Sequence, residues 1–239
     1  MGKPISFLKM WRERNLYYYR DIEAVHRFLL QPQSDVFEVG SGLGYLLASV
    51  KPSDGLGLDI SATAVDYAST EFPNLHFRLG NVEDTIPSRT FDYVLLANTI
   101  SYIEDIQAAL RNLRQTCTES TRLVLTYHNP AWEPILNVAT VVGQRMPLPP
   151  LNWLSRKDIE NLLDLSGYEV VTHTKHLLLP KPVPGLSWFF NRVLAPLPIV
   201  NRLCLTEYLV ARVRPEPAPP ASRSHQMSCS VIIPARNEA

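Results

Sequence analysis

A glutamate and three closely spaced glycines lie near the start of the chain. Glu38 belongs to an apolar, strand-like run at 35–39, and Gly40, Gly42 and Gly44 come directly after that run. A buried strand that turns sharply into a helix has this pattern, and glycines in the turn let bare backbone approach a ligand. A carboxylate there repels phosphate and suits an ammonium or sulfonium group. The stretch therefore predicts a site for a partly cationic ligand.

The spacing of the glycines argues against a pyrophosphate ligand. A dinucleotide fingerprint reads G-x-G-x-x-G, whereas here the third glycine comes one residue early and Tyr45 fills the expected place. Downstream, 55–60 predicts a second short strand that contains Asp59, 19 residues after Gly40. An acidic side chain at that distance meets ribose hydroxyls. Adenosine with a cationic amino-acid tail describes S-adenosylmethionine.

At this point the chain resembles the class I S-adenosylmethionine-dependent methyltransferases. Their first motif reads E-x-G-x-G-x-G and their second strand ends in an acidic residue, as 38–44 and Asp59 do here. The resemblance covers about 17–213. It implies an α/β fold: a Rossmann-like, doubly wound, seven-stranded sheet with strand order 3-2-1-4-5-7-6, strand 7 antiparallel and helices on both faces. It also implies a methyltransferase whose cofactor is S-adenosyl-L-methionine.

The family's cofactor-binding positions carry over to loops that follow the predicted strands. The residues expected to hold the cofactor are Glu38, Gly40, Ser41, Gly42, Gly44, Asp59, Ile60, Asn81, Val82, Glu83, Asn98 and Tyr18. Asn81 stands where the family often has an acid, and its amide oxygen can still accept a hydrogen bond from the adenine amino group. Tyr18 lies in a predicted helix at 15–30, where it either covers the cofactor or packs against the core.

His128 is the candidate catalytic residue. It follows a predicted fifth strand at 121–127, on the sheet edge where open α/β folds bind ligands. Histidine titrates near neutrality and can act as a general base. The alternative is a structural histidine, because methyl transfer can proceed by proximity alone.

The segment after the fourth strand bears on the chemistry of the acceptor. Residues 98–102 do not form the Asn-Pro-Pro-Tyr/Phe sequence that many amine and nucleobase methyltransferases use. We therefore expect transfer to an oxygen, on a small molecule, a glycan or a lipid-linked intermediate. A nicotinamide-dependent oxidoreductase is the rival enzyme class, and the glycine spacing disfavours it.

The composition predicts one main domain with appendages. We expect a methyltransferase domain at 1–213, which includes an N-terminal helical segment at 1–34 and an insertion at 177–202, then a proline-rich linker at 214–227. The segment 228–239 resembles the opening strand of family 2 glycosyltransferases, which reads S-V-I-I-P-x-x-N-E. We expect a fused glycosyltransferase in the full-length protein. The alternative function is a non-catalytic S-adenosylmethionine-binding domain that regulates or positions this partner.

Charge and cysteine usage exclude several other classes. Lys plus Arg equals Asp plus Glu at 23 each, so no net charge favours a nucleic-acid partner. Three scattered cysteines predict neither a disulfide framework nor a metal site, and we expect a cytoplasmic protein. The sequence predicts no secretory signal and no membrane span. The apolar, basic stretch at 186–200 either packs on the core or contacts a membrane surface.

Overall fold

The computed structural model describes residues 4–148 and 152–215, which form a seven-stranded sheet flanked by helices. The strand order is β3-β2-β1-β4-β5-β7-β6. Strands β1 to β5 pair in parallel, and β7 runs antiparallel to both β5 and β6. The predicted doubly wound fold, with its strand order and its antiparallel seventh strand, is confirmed.

The elements alternate between strand and helix over most of the chain. The strands are β1 Asp35–Val39, β2 Asp54–Asp59, β3 His76–Leu79, β4 Phe91–Ala97, β5 Cys117–His128, β6 Tyr168–His176 and β7 Thr206–Val213. The helices are α1 Ile5–Arg14, α2 Leu16–Leu29, α3 Tyr45–Ser49, α4 Ala62–Glu71, α5 Ile106–Arg114, α6 Glu133–Val141, α7 Arg156–Leu165, α8 Leu186–Trp188 and α9 Pro198–Asn201. Short 3₁₀ turns occupy Ile100–Tyr102 and Pro130–Trp132, and a π-helical segment, Phe189–Leu194, continues α8.

The hydrophobic core lies on both faces of the central strands. Phe37 and Leu96 pack on one face, and Val36 and Leu95 pack on the other. Because neither face of these strands meets water, they appear in the sequence as continuous apolar runs and not as alternating ones. Helix α7 opens with a capping box between Ser155 and Asp158.

Two parts of the chain differ from expectation. Helix α1 is not predicted as a separate element of the N-terminal helical segment, and Trp11 is its one fully buried side chain. The insertion before the last strand extends to 205, three residues beyond the predicted end, and it contains α8 with its π-helical continuation and then α9. Both differences arise where short helices gain their stability from packing on the rest of the domain rather than from their own sequence.

The parallel strands all end at the same edge of the sheet. Backbone hydrogen bonds link the carboxyl ends of neighbouring strands. The Gly40 N–H donates to the Leu58 carbonyl at 2.7 Å, and the Asn98 N–H donates to the Thr126 carbonyl at 2.8 Å. The loops after β1, β2, β3, β4 and β5 therefore converge at one rim. This rim is where doubly wound sheets bind ligands.

Sequence-based expectations also concern the C-terminal segment and membrane or metal-binding features. The expected linker at 214–227 and the glycosyltransferase-like segment at 228–239 lie outside the described residues, apart from Arg214 and Pro215. Within the described ranges, no helix is long and apolar enough to cross a membrane. In the same ranges, no group of three or more His, Cys, Asp or Glu is placed to hold a metal ion.

Candidate functional site

The three glycines of the turn serve different purposes. A Cβ at Gly40 would lie 2.4 Å from the hydroxyl of Thr99, and one at Gly44 would lie 2.7 Å from the ring of Phe77. These two glycines therefore allow close packing within the protein. A Cβ at Gly42 would meet no atom of the described chain within 4 Å, so it would project into open space. Gly42 is the glycine that leaves room for a ligand.

A first cavity of about 230 Å³ opens in front of this turn, and five of the predicted cofactor residues line it: Glu38, Gly40, Ser41, Gly42 and Asn98. Glu38 is 2% exposed, and its Oε2 atom has no hydrogen-bond partner within the described chain. Burial raises the pKa of this carboxyl well above its usual value. The buried Oγ of Ser41 also lacks a partner there. A ligand ammonium would satisfy these atoms, as the methionine part of S-adenosylmethionine requires.

Asp59 belongs to a second cavity of about 240 Å³. Its Oδ2 accepts the Gly42 N–H at 2.7 Å, and its Oδ1 accepts the Ser61 N–H at 2.9 Å. Each carboxylate oxygen keeps a further lone pair, so both remain able to accept ribose hydroxyls. Asp59 thus fits the expected ribose contact and also holds the glycine turn.

The loop after β3 forms the opposite wall of the second cavity, which Ile60 also lines. Asn81 accepts the Glu83 N–H through Oδ1 at 3.1 Å, and Glu83 accepts the Glu104 N–H at 3.1 Å. Val82 is buried beneath the loop. These bonds fix the shape of the loop at which the resemblance predicts adenine binding.

Helix α1 contributes residues to the first cavity that the sequence analysis missed. Trp11 and Arg12 line that cavity, as does Tyr19 from α2. Arg12 pairs with Glu23 and lies 3.9 Å from the centre of the Tyr45 ring. A guanidinium here faces the same cavity as Glu38 and suits the carboxylate of the methionine tail. The available signal was a Trp-Arg pair just ahead of the tyrosines.

A third and larger cavity, of about 400 Å³, adjoins the first. Tyr18 and His128 line this cavity and neither of the other two. Successive helical residues point about 100° apart. Tyr19 therefore reaches the first cavity as well as the third, whereas Tyr18 reaches the third alone. Tyr18 is thus placed apart from the cofactor residues with which it was grouped.

A chain of hydrogen bonds crosses the wall between the first and third cavities. Asn98 donates through Nδ2 to the Tyr18 hydroxyl at 3.0 Å, and this hydroxyl lies 2.8 Å from Nε2 of His128. Burial, aided by the charge of Arg145, lowers the pKa of His128 to about 4. The imidazole is therefore neutral at neutral pH, and in the tautomer with a bare Nε2 it accepts from Tyr18. Burial also raises the pKa of Tyr18, which keeps its proton.

The three cavities form a continuous series along the rim. Gly40 lines both the first and the second cavity, while Asn98 lines both the first and the third. Asn98 has φ +56°, and its buried Oδ1 lacks a partner among the described residues. Gly44 lines none of the three, and its contribution is to the packing of the turn. An elongated ligand in the first two cavities would present its middle to the third.

Comparison with known protein families agrees with this geometry. A family model described as a methyltransferase domain matches residues 10–173. The chain belongs to this family, and it is a methyltransferase that uses S-adenosylmethionine. A search of curated proteins found no significant match.

Solved structures share the fold at low sequence identity. A Thermotoga maritima methyltransferase, described as a possible histamine N-methyltransferase, has a TM-score of 0.68 at 14% identity, covering 87% of this chain and 95% of its own. An Aquifex aeolicus methyltransferase gives 0.60 at 16% identity, with coverages of 89% and 100%. Magnesium protoporphyrin IX methyltransferase from Synechocystis, solved with S-adenosylhomocysteine, gives 0.56 at 16% identity, with coverages of 90% and 90%.

Proposed function

We propose that this methyltransferase transfers its methyl group to an oxygen of an acceptor bound in the third cavity. The observation that carries the proposal is the Asn98, Tyr18 and His128 chain of hydrogen bonds, at the wall that the third cavity shares with the first. A group that holds or moves a proton is useful at this position because a hydroxyl nucleophile must lose one. S-Adenosylmethionine supplies an activated methyl group on a sulfonium when it is bound.

The residues of the first two cavities bind and orient the cofactor in this proposal. Glu38 accepts a hydrogen bond from the ammonium of the methionine part, and Arg12 faces the carboxylate of the same part. Asp59 accepts the ribose hydroxyls, and the loop at 80–83 encloses the adenine. The bare backbone at Gly42 leaves space for the ligand. These contacts align the methyl group with the third cavity, and alignment is the main catalytic requirement for an already activated donor.

Tyr18 and His128 receive the acceptor proton. Tyr18 accepts from Asn98 and donates to His128, so one lone pair on its oxygen remains for the acceptor hydroxyl. The bound cofactor would supply the methyl group to the acceptor oxygen and keep the electron pair of the broken C–S bond, which would make the acceptor hydroxyl strongly acidic. Its proton passes to Tyr18 while the Tyr18 proton passes to Nε2 of His128. A weak base suffices because the proton is lost late.

The charges around the third cavity disfavour a cationic amine as the acceptor. Among its described lining residues there is no aspartate or glutamate, whereas Arg145 and Lys181 both line it. An ammonium acceptor such as histamine would meet positive charge without a compensating carboxylate. The possible histamine activity of the Thermotoga protein is therefore not carried over to this chain. A small molecule, a glycan or a lipid-linked intermediate remains the proposed acceptor class, the last two because of the glycosyltransferase-like segment at 228–239.

The test is methyl transfer to fractionated cell material. We would incubate the protein with S-adenosylmethionine labelled in its methyl group and with glycan and lipid-linked fractions from the source organism, and locate the label by mass spectrometry. We expect an O-methyl product. Tyr18→Phe should lower the rate about 10²- to 10⁴-fold, the usual size of a general-base effect, while cofactor affinity stays unchanged.

The matched control is Tyr17→Phe, because the Tyr17 hydroxyl accepts from Asn191 at 3.0 Å and takes no part in the chain to His128. This variant should keep the full rate. Cofactor binding with no transfer to any fraction would contradict the proposed function. Equal rates for the two tyrosine variants would contradict the proton path alone.

A further inference from the structure

The third cavity has an apolar, largely aromatic wall. Trp11, Tyr18, Tyr19 and Trp132 line it, together with aliphatic side chains of α6 such as Leu136. A volume of about 400 Å³ lies in the range of sites that enclose a small organic ligand. Such walls contribute affinity by removing apolar surface from water, so this wall suits a ligand with an apolar body.

One guanidinium interrupts this apolar wall. Arg145 follows the end of α6, where its backbone N–H bonds the carbonyl of Ala139 at 3.1 Å. Its Nη2 atom is buried and has no hydrogen-bond partner within the described chain. The groups that interact electrostatically with it are Tyr18, Tyr19, Tyr102 and His128, none of which is negatively charged at neutral pH. Arg145 is half-buried, and leaving a buried donor of a cation unpaired is costly, so this atom favours a partner that the described residues do not supply.

The cofactor does not need to supply that partner. Arg145 lines the third cavity and not the first, whereas Arg12 lines the first and not the third. The carboxylate of the methionine tail therefore has its own guanidinium. Lys181 also lines the third cavity, but its Nζ already donates to Asn15 Oδ1 at 2.9 Å and to the Gln144 carbonyl at 3.4 Å. Arg145 is the cation of this cavity with a buried donor atom, Nη2, that has no partner among the described residues.

We propose that the acceptor carries an anionic group on an apolar body, and that Arg145 binds this group. The inference rests on the proposed function, because it treats the third cavity as the acceptor site. A carboxylate and a phosphate share the required chemistry, since both accept two parallel N–H bonds from a guanidinium. The anion anchors the acceptor, and the aromatic wall encloses the remainder beside Tyr18.

The test uses a pair of probes that differ in charge. With S-adenosylhomocysteine saturating the cofactor site, the binding of 2-naphthoate and of its neutral analogue 2-naphthamide would be measured by calorimetry. We expect naphthoate to bind roughly tenfold or more tightly, the size of a charge-assisted hydrogen bond. Arg145→Gln should abolish this preference and leave naphthamide binding unchanged. Arg145→Lys should retain part of it. A third probe, 2-naphthyl phosphate, distinguishes the two anion types.

Arg192→Gln is the matched control, because Arg192 is exposed and does not line the cavity. It should keep the preference for naphthoate. Equal affinity for naphthoate and naphthamide, or a preference that survives Arg145→Gln, would overturn the proposal. A loss of S-adenosylhomocysteine binding in Arg145→Gln would also overturn it, by assigning the guanidinium to the cofactor. Failure of the unsubstituted protein to bind S-adenosylhomocysteine would count against the proposed cofactor site instead.

Discussion

The carboxylate of Asp59 accepts the backbone N–H of Gly42 at 2.7 Å. Asp59 ends β2 and Gly42 lies in the turn after β1, so this bond joins the ends of two neighbouring parallel strands. The residue that we expect to bind ribose also fixes the turn that we expect to face the methionine tail. Changes at Asp59 therefore act on both parts of the cofactor site.

Substitution of Asp59 should separate these two effects. Asp59→Ala removes the ribose acceptor and the bond to Gly42, and we expect S-adenosylmethionine to bind about ten- to a hundredfold more weakly. Asp59→Asn keeps one oxygen for Gly42 and should lose less. Calorimetry provides the measurement. Asp54→Ala, at the opposite end of the same strand, is the control and should bind normally. Unchanged affinity in Asp59→Ala would remove this residue from the site.

Gly42→Val should abolish cofactor binding and leave the fold intact. The new side chain would enter space that no atom of the described protein fills. Gly42 has φ +50°, so a valine there is also strained. Gly185→Val controls for this strain, because Gly185 has φ +71° and similarly open surroundings in the insertion. Far-UV circular dichroism should be near normal for both variants. Equal cofactor affinity in the two would disprove the role of the turn.

Cofactor binding should release a proton from Glu38. Burial raises the pKa of this carboxyl, so between its ordinary pKa and the raised value the free protein holds it neutral. A bound ammonium favours the carboxylate, and the proton leaves. Affinity should therefore rise with pH through this interval and level off above the raised pKa. Calorimetry in buffers of different ionisation enthalpy counts the released protons, and Glu38→Gln should release fewer. An equal count in both proteins would exclude Glu38 as the source.

The insertion should bring the protein to anionic membrane surfaces. Trp188 is 64% exposed, Ile199 is 81% exposed, and Arg192 and Arg202 lie exposed in the same segment. We expect the protein to co-sediment with vesicles of phosphatidylcholine and phosphatidylglycerol. The double variant Trp188→Ser/Ile199→Ser should associate roughly tenfold more weakly, because it buries less apolar area in the membrane.

The vesicle experiment has a matched control in Phe28→Ser. Phe28 is 87% exposed near the end of α2, outside the insertion. Its loss should leave vesicle binding unchanged. If the unsubstituted protein stays in the supernatant at low salt, the expected membrane contact is wrong.

Local sequence determines most of the sheet. Strands such as β4 are short apolar runs bounded by turn residues, and their alternation with amphipathic helices such as α5 predicts parallel pairing. Helix α1 escapes this kind of reasoning because it buries Trp11 and little else. Its conformation depends on contacts with α2, its neighbour in the chain, and with α4, which is distant in sequence. Tertiary contacts of this kind leave no local periodicity to read.

The site divides in a similar way. Glu38, Gly42 and Asp59 lie at strand ends, so their convergence follows from the topology. The grouping of Tyr18 with Asn98 and His128 depends on how α2 is rotated against the sheet, which spacing alone does not fix. Arg145 lies in an irregular turn after α6 and matches no motif of the resemblance. Acceptor-binding residues come from such connecting segments, where sequence patterns are weakest.

The insertion between β6 and β7 begins and ends at one place on the sheet. Strands β6 and β7 stay paired up to His176 and Thr206, and the Leu205 N–H bonds the carbonyl of Leu177 at 2.9 Å. The segment between them therefore leaves and re-enters the sheet at adjacent points. An evolving lineage can exchange, lengthen or trim this segment without moving the strands that carry the cofactor site. Acceptor preference and cofactor use can thus be inherited as separate traits.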